Sequence, residues 1–361
     1  MTKKSASLLD LLQSLVSAYG PCGQEGEVKT LCEKYLKPYT DDLWTDAAGN
    51  LIGKIEGTSK SAPAIRLMAH MDEISMIVKK INEDGSLRVN PLGGSYPASF
   101  GQGPLDILGD HKTISGILSF GSMHTTKESP STNKIMPKEF RGEGCAPFWD
   151  SVYVTTRKTV EELTKCGVHP GTRVVLERSR RTLYPFQDCI AGYFLDNRAA
   201  IAIAIAIETA KKIKEQKITL KQDVYIVITC SEEIGAHGAC YASRTLPGDI
   251  SIAIDVGPAA KEYQTVLSPD PIIVYQDSAS LYDKTISDHL VSLGKKLKFN
   301  PQYAVFETYA SDASISHSVG QSAKAALVCF PVENTHGYEI THKDSLSRCI
   351  DLLSAYLLHR S

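Results

Sequence analysis

Four short polar strings in this sequence sit against strongly apolar runs, and their residue types are those that bind cations or move protons. The first is Ala69-His70-Met71-Asp72-Glu73, at the end of the apolar run Ala64 to Ala69. The second is Leu195-Asp196-Asn197-Arg198, which opens an Ala/Ile-rich stretch. The third, Cys230-Ser231-Glu232-Glu233-Ile234-Gly235, follows Val224 to Cys230, and the fourth, Ile254-Asp255-Val256-Gly257, closes Ile250 to Val256. A later segment, Glu333-Asn334-Thr335-His336-Gly337-Tyr338-Glu339, follows the run Ala325 to Phe330 and could supply a further imidazole. An imidazole binds a metal through one ring nitrogen while a carboxylate two residues on orients it. Of two adjacent glutamates, one can bind metal and the other stays free to take a proton.

Each string has an ordinary explanation when taken alone. Aspartate after a strand commonly caps the next helix, and a Glu-Glu pair is usually a solvated helix start. The combination differs, because several carboxylates at the ends of buried strands would be uncompensated charge. Divalent cations offset that charge, and two of them need about this many donors.

The elements that must carry these residues follow from hydrophobic periodicity. Ser5 to Tyr19 reads as an amphipathic helix stopped by Gly20-Pro21, and Glu25 to about Tyr39 as a second. Leu51 to Ile55, Ala64 to Ala69, Val224 to Cys230, Ile250 to Val256, Gln302 to Phe306 and Ala325 to Phe330 read as strands. Between them lie helical runs from Asp196 to about Gln216, Ala236 to about Arg244, Leu281 to about Leu297 and Asp344 to His359. From about Met76 to Phe186 the texture changes to short strand-like pieces with glycine and proline punctuation, plus a helical piece near Val160 to Cys166. Ser122 to Asp150 reads as a long polar loop excursion. The architecture implied is α/β: a catalytic domain from 1–72 and 187–361, with a small β-rich domain, 73–186, inserted. In open sheets of this type, ligands bind beyond the carboxyl ends of the strands.

Bulk properties exclude several classes. The 361 residues are 42% hydrophobic and 22% charged with a net charge of -2, so nothing points to nucleic acid or an anionic membrane. The most apolar run, Ala199 to Ile207, is far shorter than the roughly 18 to 20 residues a bilayer span needs. Nine cysteines without a CxxC pair read as reduced thiols, and with no apolar leader the expectation is a cytoplasmic protein. There is no GxSxG and no GxxxxGK[ST].

The ordered set His-Met-Asp-Glu, Asp-Asn-Arg, Glu-Glu-Ile-Gly, Asp-Val-Gly and Thr-His-Gly-Tyr-Glu resembles the M42 aminopeptidases, whose relatives include glutamyl aminopeptidases and cellulase-M homologues. Tyr19-Gly20-Pro21-Cys22-Gly23-Gln24-Glu25 and Asp46-Ala47-Ala48-Gly49-Asn50-Leu51 extend the likeness. The resemblance implies a mixed-sheet α/β/α metallo-exopeptidase domain and hydrolysis of N-terminal residues by a hydroxide bridging two divalent ions, zinc or cobalt, with manganese also compatible. It implies that His70, Asp196 and Asp255 hold one ion, and that Asp196 bridges to a second held by Glu233 and His336. It implies that Glu232 is the general base and that Asp72 orients His70. It further implies a cis peptide at Asp196-Asn197, peptide substrates with a free N-terminus, and homo-oligomers from dimer to dodecamer that use the inserted domain. His342 and His317 are alternatives to His336 as the last ligand. Asp312 is either near the substrate pocket or a loop cap. Rival functions are an endoglucanase-like glycoside hydrolase, which needs only a carboxylate pair, and a catalytically silent scaffold of the same fold.

Overall fold

The structure, a computed structural model, describes residues 8–59, 61–122, 124, 148–199 and 206–359. The chain divides into two compact units. One comprises Met1–Asp72, Thr182–Thr335 and Glu339–Ser361; the other comprises Glu73–Arg181 and His336–Tyr338.

The first unit is built on an 11-stranded mixed sheet. It begins with β1 (Asp42–Thr45), β2 (Leu51–Ile55) and β3 (Ile65–His70). The second unit contributes β4 (Ser75–Ile81), β5 (Leu87–Leu92), β6 (Gly103–Leu108), β7 (Thr113–Ser119), β8 (Tyr153–Thr155) and β9 (Arg173–Leu176). The chain then returns through β10 (Tyr184–Phe186), β11 (Cys189–Gly192), β12 (Val224–Thr229), β13 (Ile250–Pro258), β14 (Ile272–Gln276), β15 (Gln302–Val305), β16 (Lys324–Glu333) and β17 (Glu339–His342). The return falls at Thr182 rather than at 187 because β10 pairs antiparallel with β11 and so belongs to the large sheet.

Strands β12, β3, β13 and β16 are mutually parallel and form the middle of that sheet. All six residues of β3 and of β12 are buried, which is why both read as unbroken apolar runs. Alternate residues serve opposite faces. Leu67, Ile226, Ile228, Ile252, Ile254 and Val328 share a core with the helices Leu8–Ser17, Gly26–Leu36, Ala206–Glu215, Lys284–Lys296 and Ser345–His359. Met68 and Val227 face the other way, onto Ala239 and Ala242 of the helix His237–Thr245. Ala253 and Leu327 pack with Ala313 of the helix Asp312–Ser318. Helices on both faces of a mixed sheet are the α/β/α arrangement expected from the sequence.

The second unit is a closed barrel in the order β4-β5-β8-β7-β6-β9. Strand β7 alternates exposed and buried residues, with Ile114, Gly116 and Leu118 inward. Near its ends the bidentate pair Glu73–Arg181 is fully buried, with Nη2–Oε1 at 2.6 Å and Nη1–Oε2 at 3.1 Å. The polar excursion expected at Ser122 to Asp150 lies mostly outside the described residues, as does the middle of the helical run after Asp196.

Candidate metal centre

His70 is the last residue of β3 and lies opposite Thr229, the last of β12, in parallel register. The imidazole is 2% exposed. Its Nδ1 faces the backbone carbonyl of Asp72 at 3.3 Å, which turns Nε2 toward Asp196 Oδ1 at 3.2 Å. Asp255, on β13, joins them: one donor atom each of His70, Asp196 and Asp255 lies within 4.8 Å of the others, and all three residues are buried.

Local sequence explains these positions. Residues 195–199 form a π-helical turn, a winding often found at functional sites, and the Asp196-Asn197 peptide is cis. Asn197 donates from Nδ2 to the Ile254 carbonyl at 3.2 Å, beside Asp255. Arg198 donates to the carbonyls of Leu15 and Ala18 at the end of the first helix. A β-carbon at Gly20 would stand 2.5 Å from Arg198 Nη2 and 2.9 Å from Val28 Cγ2, so a larger residue there would displace Arg198 or the helix it packs on. The backbone N–H of Asp196 donates to Glu339 Oε2 at 2.8 Å.

The loop after β12 turns sharply at Ser231, whose φ of 55° lies in the left-handed region. Asn50 supports this loop. Its Oδ1 accepts from Cys230 N–H at 3.1 Å and its Nδ2 donates to the Gly238 carbonyl at 2.9 Å, giving the Asp-x-x-Gly-Asn string a structural purpose. Beyond the turn, Asp72 Oδ1 accepts the backbone N–H of Glu232 at 3.0 Å and Oδ2 that of Glu233 at 3.1 Å. The Asp72 carboxylate is 3.6 Å from His70 Nδ1, so its shorter contacts are with the Glu232–Glu233 backbone. Glu232 Oε2 lies 3.9 Å from His70 Nε2, and its side chain is 11% exposed.

Burial pushes the Glu232 carboxyl well above the usual range; His70 opposes the shift, while Asp312, Asp255 and Glu233 reinforce it. Burial and then Asp196 push Asp255 up in the same way. Burial raises Asp312 to about 6. This aspartate is 2% exposed and begins its short helix; Oδ2 accepts from Thr229 Oγ1 at 2.5 Å, while Oδ1 has no hydrogen-bond partner among the described residues. Burial works to lower the pKa of His70, but Glu232, Asp196 and Asp72 outweigh it and raise it well above the ordinary value. One imidazole amid this many buried carboxylates is an unbalanced charge set. Its nitrogen and oxygen donors suit a divalent cation such as zinc, cobalt or manganese.

Residues 49–352 match the sequence profile of the M42 glutamyl aminopeptidases. The chain belongs to the M42 family. Among its M42 relatives, the YhfE protein of Bacillus subtilis (strain 168) is 27% identical over 353 residues, covering 97% of this chain and 96% of its own. The lysyl aminopeptidase of Pyrococcus furiosus is 28% identical over 249 residues, 68% of this chain and 66% of its own. The TET1 peptidase of Pyrococcus horikoshii, which can assemble into a tetrahedron or a large octahedral shell, shares the fold with a TM-score of 0.79. Its identity is 21%, over 97% of this chain and 99% of its own. The protein is thus an M42 aminopeptidase, a hydrolase acting on peptide bonds.

His336 of this M42 chain groups with the second unit, where its Nδ1 lies 2.6 Å from the Gly94 carbonyl. His317 instead places Nδ1 2.8 Å from the Ser322 carbonyl, and His342 lies on β17 beside Asp188. Two residues that support the centre carry no local sequence signal for it. Glu339 was visible only as the last letter of Thr-His-Gly-Tyr-Glu, and Cys22 only as part of a turn. What each touches depends on chain segments far away in sequence.

Proposed function

We propose that this M42 aminopeptidase removes residues from peptide N-termini with water as nucleophile and two divalent ions as cofactors. The observation that carries the reading is the buried convergence of His70, Asp196 and Asp255 with the Glu232 carboxylate beside them. His70, Asp196 and Asp255 would hold one ion, and Asp196 with Glu233 and His336 would hold a second. For His336, the Nδ1 contact with the Gly94 carbonyl supports this role, since a proton held there leaves Nε2 deprotonated, the state a metal ligand requires. Bound in these sets, zinc, cobalt or manganese would acidify a coordinated water and polarise the scissile carbonyl.

The chain's own groups do the rest. Glu232 takes the proton from the attacking water and delivers it to the departing amine. Its carboxylate lies 3.9 Å from His70 Nε2, beside the proposed ion site, where such an exchange would take place. Asp72 fixes the backbone on which Glu232 stands. The surplus of carboxylates offers a place for the substrate's free ammonium group, consistent with exopeptidase action.

Assembly into homo-oligomers, from dimers up to dodecamers, with the barrel unit as the dimerisation element, belongs to the same proposal. A cytoplasmic location belongs to it too, and no helix among the described residues is long and apolar enough to cross a membrane. A glycosidase reading would leave His70 without a role.

The test is a panel of aminoacyl-p-nitroanilides run on metal-stripped protein with zinc, cobalt or manganese restored. Turnover should return with metal, and cellulosic substrate should not be cleaved. Asp196→Ala should lose stoichiometric binding of at least one ion. Undiminished turnover by stripped protein, or two ions retained by Asp196→Ala, contradicts the reading.

A further inference from the structure

We propose that Cys22 is a positioning residue of the reaction: its thiol fixes the Asp72 carboxylate and, through it, the backbone that carries Glu232 and Glu233. The inference rests on the metal reading above.

Cys22 lies in the turn between the helices Leu8–Ser17 and Gly26–Leu36 and is 1% exposed. Its S–H donates to Asp72 Oδ2 at 3.2 Å. That oxygen also receives the N–H of Glu233, while Oδ1 receives the N–H of Glu232. The carboxylate is fully buried, and an ionised buried carboxylate needs donors for its lone pairs. Removing the thiol therefore takes a donor from an oxygen that water does not reach.

The turn is braced by its own side chains. Glu25, 7% exposed, accepts the N–H of Gly23 at 2.8 Å and so closes the turn that carries Cys22. The turn thus holds the loop after β3 at Asp72, and Asp72 in turn holds the loop after β12 through the Glu232 and Glu233 N–H groups. A free rotation of Asp72 would release two backbone N–H bonds and the environment of His70 together. Groups that orient metal-binding side chains typically change metal affinity or activity about 10- to 100-fold when removed. A packing residue would change stability and leave both unchanged.

The experiment titrates metal-stripped protein with cobalt(II), followed by visible absorption, alongside steady-state kinetics on the loaded enzyme. Cys22→Ala removes the donor with a smaller side chain, Cys22→Val removes it with a larger one, and Cys22→Ser keeps a donor. Both donorless variants should bind cobalt about 10-fold more weakly, with kcat lowered and KM little changed. Cys22→Ser should recover most of both. Wild-type protein that takes up no cobalt overturns the metal reading and this inference with it. Normal cobalt uptake by the wild type and by all three variants alike overturns the role of Cys22 alone. So does a lowered melting temperature in Cys22→Ala and Cys22→Val, or loss of their fold, without a weakened cobalt site in whichever variant folds.

Discussion

The carboxylate of Asp72 accepts the backbone N–H of Glu232 at 3.0 Å, joining two strand ends that are 160 residues apart in sequence. Because the bond engages the Glu232 backbone, the side chain remains available for proton transfer, 3.9 Å from His70 Nε2. Asp72 also takes the Glu233 N–H, so both members of the glutamate pair are set by one buried anion. The division of labour between the two glutamates then comes from their side-chain surroundings.

That division gives the first prediction. Glu232→Gln keeps size and hydrogen-bonding capacity but cannot accept the proton. Its kcat should fall by about 10²- to 10⁴-fold, the usual contribution of a positioned general base. Metal content, measured by elemental analysis, should match the wild type. Comparable turnover in the metal-loaded variant would remove Glu232 from the mechanism.

The parts of this molecule legible in sequence are those governed by local pattern. Strands β3, β12, β13 and β16 are buried on both faces, so their apolar runs stand out, and His70 and Asp255 were visible as polar residues at or near the ends of such runs. Strands β11 and β17 were missed because each has four residues and is defined by its partner rather than by its own periodicity. β14 was missed although it is apolar, being short and set among loop-like serines and prolines. The link from Cys22 to Asp72 spans 50 residues and that from Asp196 to Glu339 spans 143. No window of sequence contains either pair, and only the fold brings them together.

The charge set predicts an unusual pH response in metal-stripped protein. Glu232, Asp255 and Asp312 have folded-state pKa values above their unfolded ones, that of Asp312 reaching about 6. The folded state therefore binds more protons than the unfolded state, and stability falls as pH rises through this range. His70, also raised, acts in the same direction: its contribution is complete below its unfolded value and lost as pH climbs through the folded one. Asp72, shifted down against the effect of burial mainly by His70, acts only at lower pH. The melting temperature of stripped protein should fall between about pH 5 and 8, and added zinc should abolish or reverse the slope, because bound metal requires ionised ligands. A stripped-protein melting temperature that rises over this window contradicts the charge assignment.

The barrel unit offers a test independent of catalysis. Glu73 and Arg181 form a bidentate pair with no solvent exposure, and Arg181 Nε also donates to the Leu176 carbonyl at 2.9 Å. Removing one partner strands the other charge in the interior, at a cost of about 3 to 5 kcal/mol. Glu73→Leu and Arg181→Met should each lower the denaturant midpoint. The double variant Glu73→Leu/Arg181→Met should recover much of the loss, since an apolar replacement strands no charge. A double variant as unstable as the sum of the two singles would show that the pair is not a closed unit.

Glu339 separates support of the centre from membership in it. Its side chain is 1% exposed, and Oε2 accepts the Asp196 N–H at 2.8 Å, immediately before the cis peptide. The bond fixes the backbone of the residue proposed to be shared between the two ions. In Glu339→Gln, the amide oxygen can replace Oε2 and the charge is lost; in Glu339→Ala, both disappear. If positioning is the role, Glu339→Gln should keep most of the metal affinity, while Glu339→Ala should lose about 10- to 100-fold. A direct ligand would instead fail in both variants, because an amide is a poor substitute for a carboxylate on zinc or cobalt. Cobalt titration of both stripped variants distinguishes the outcomes, and equal loss in the two would move Glu339 from the support of Asp196 into the ligand set itself.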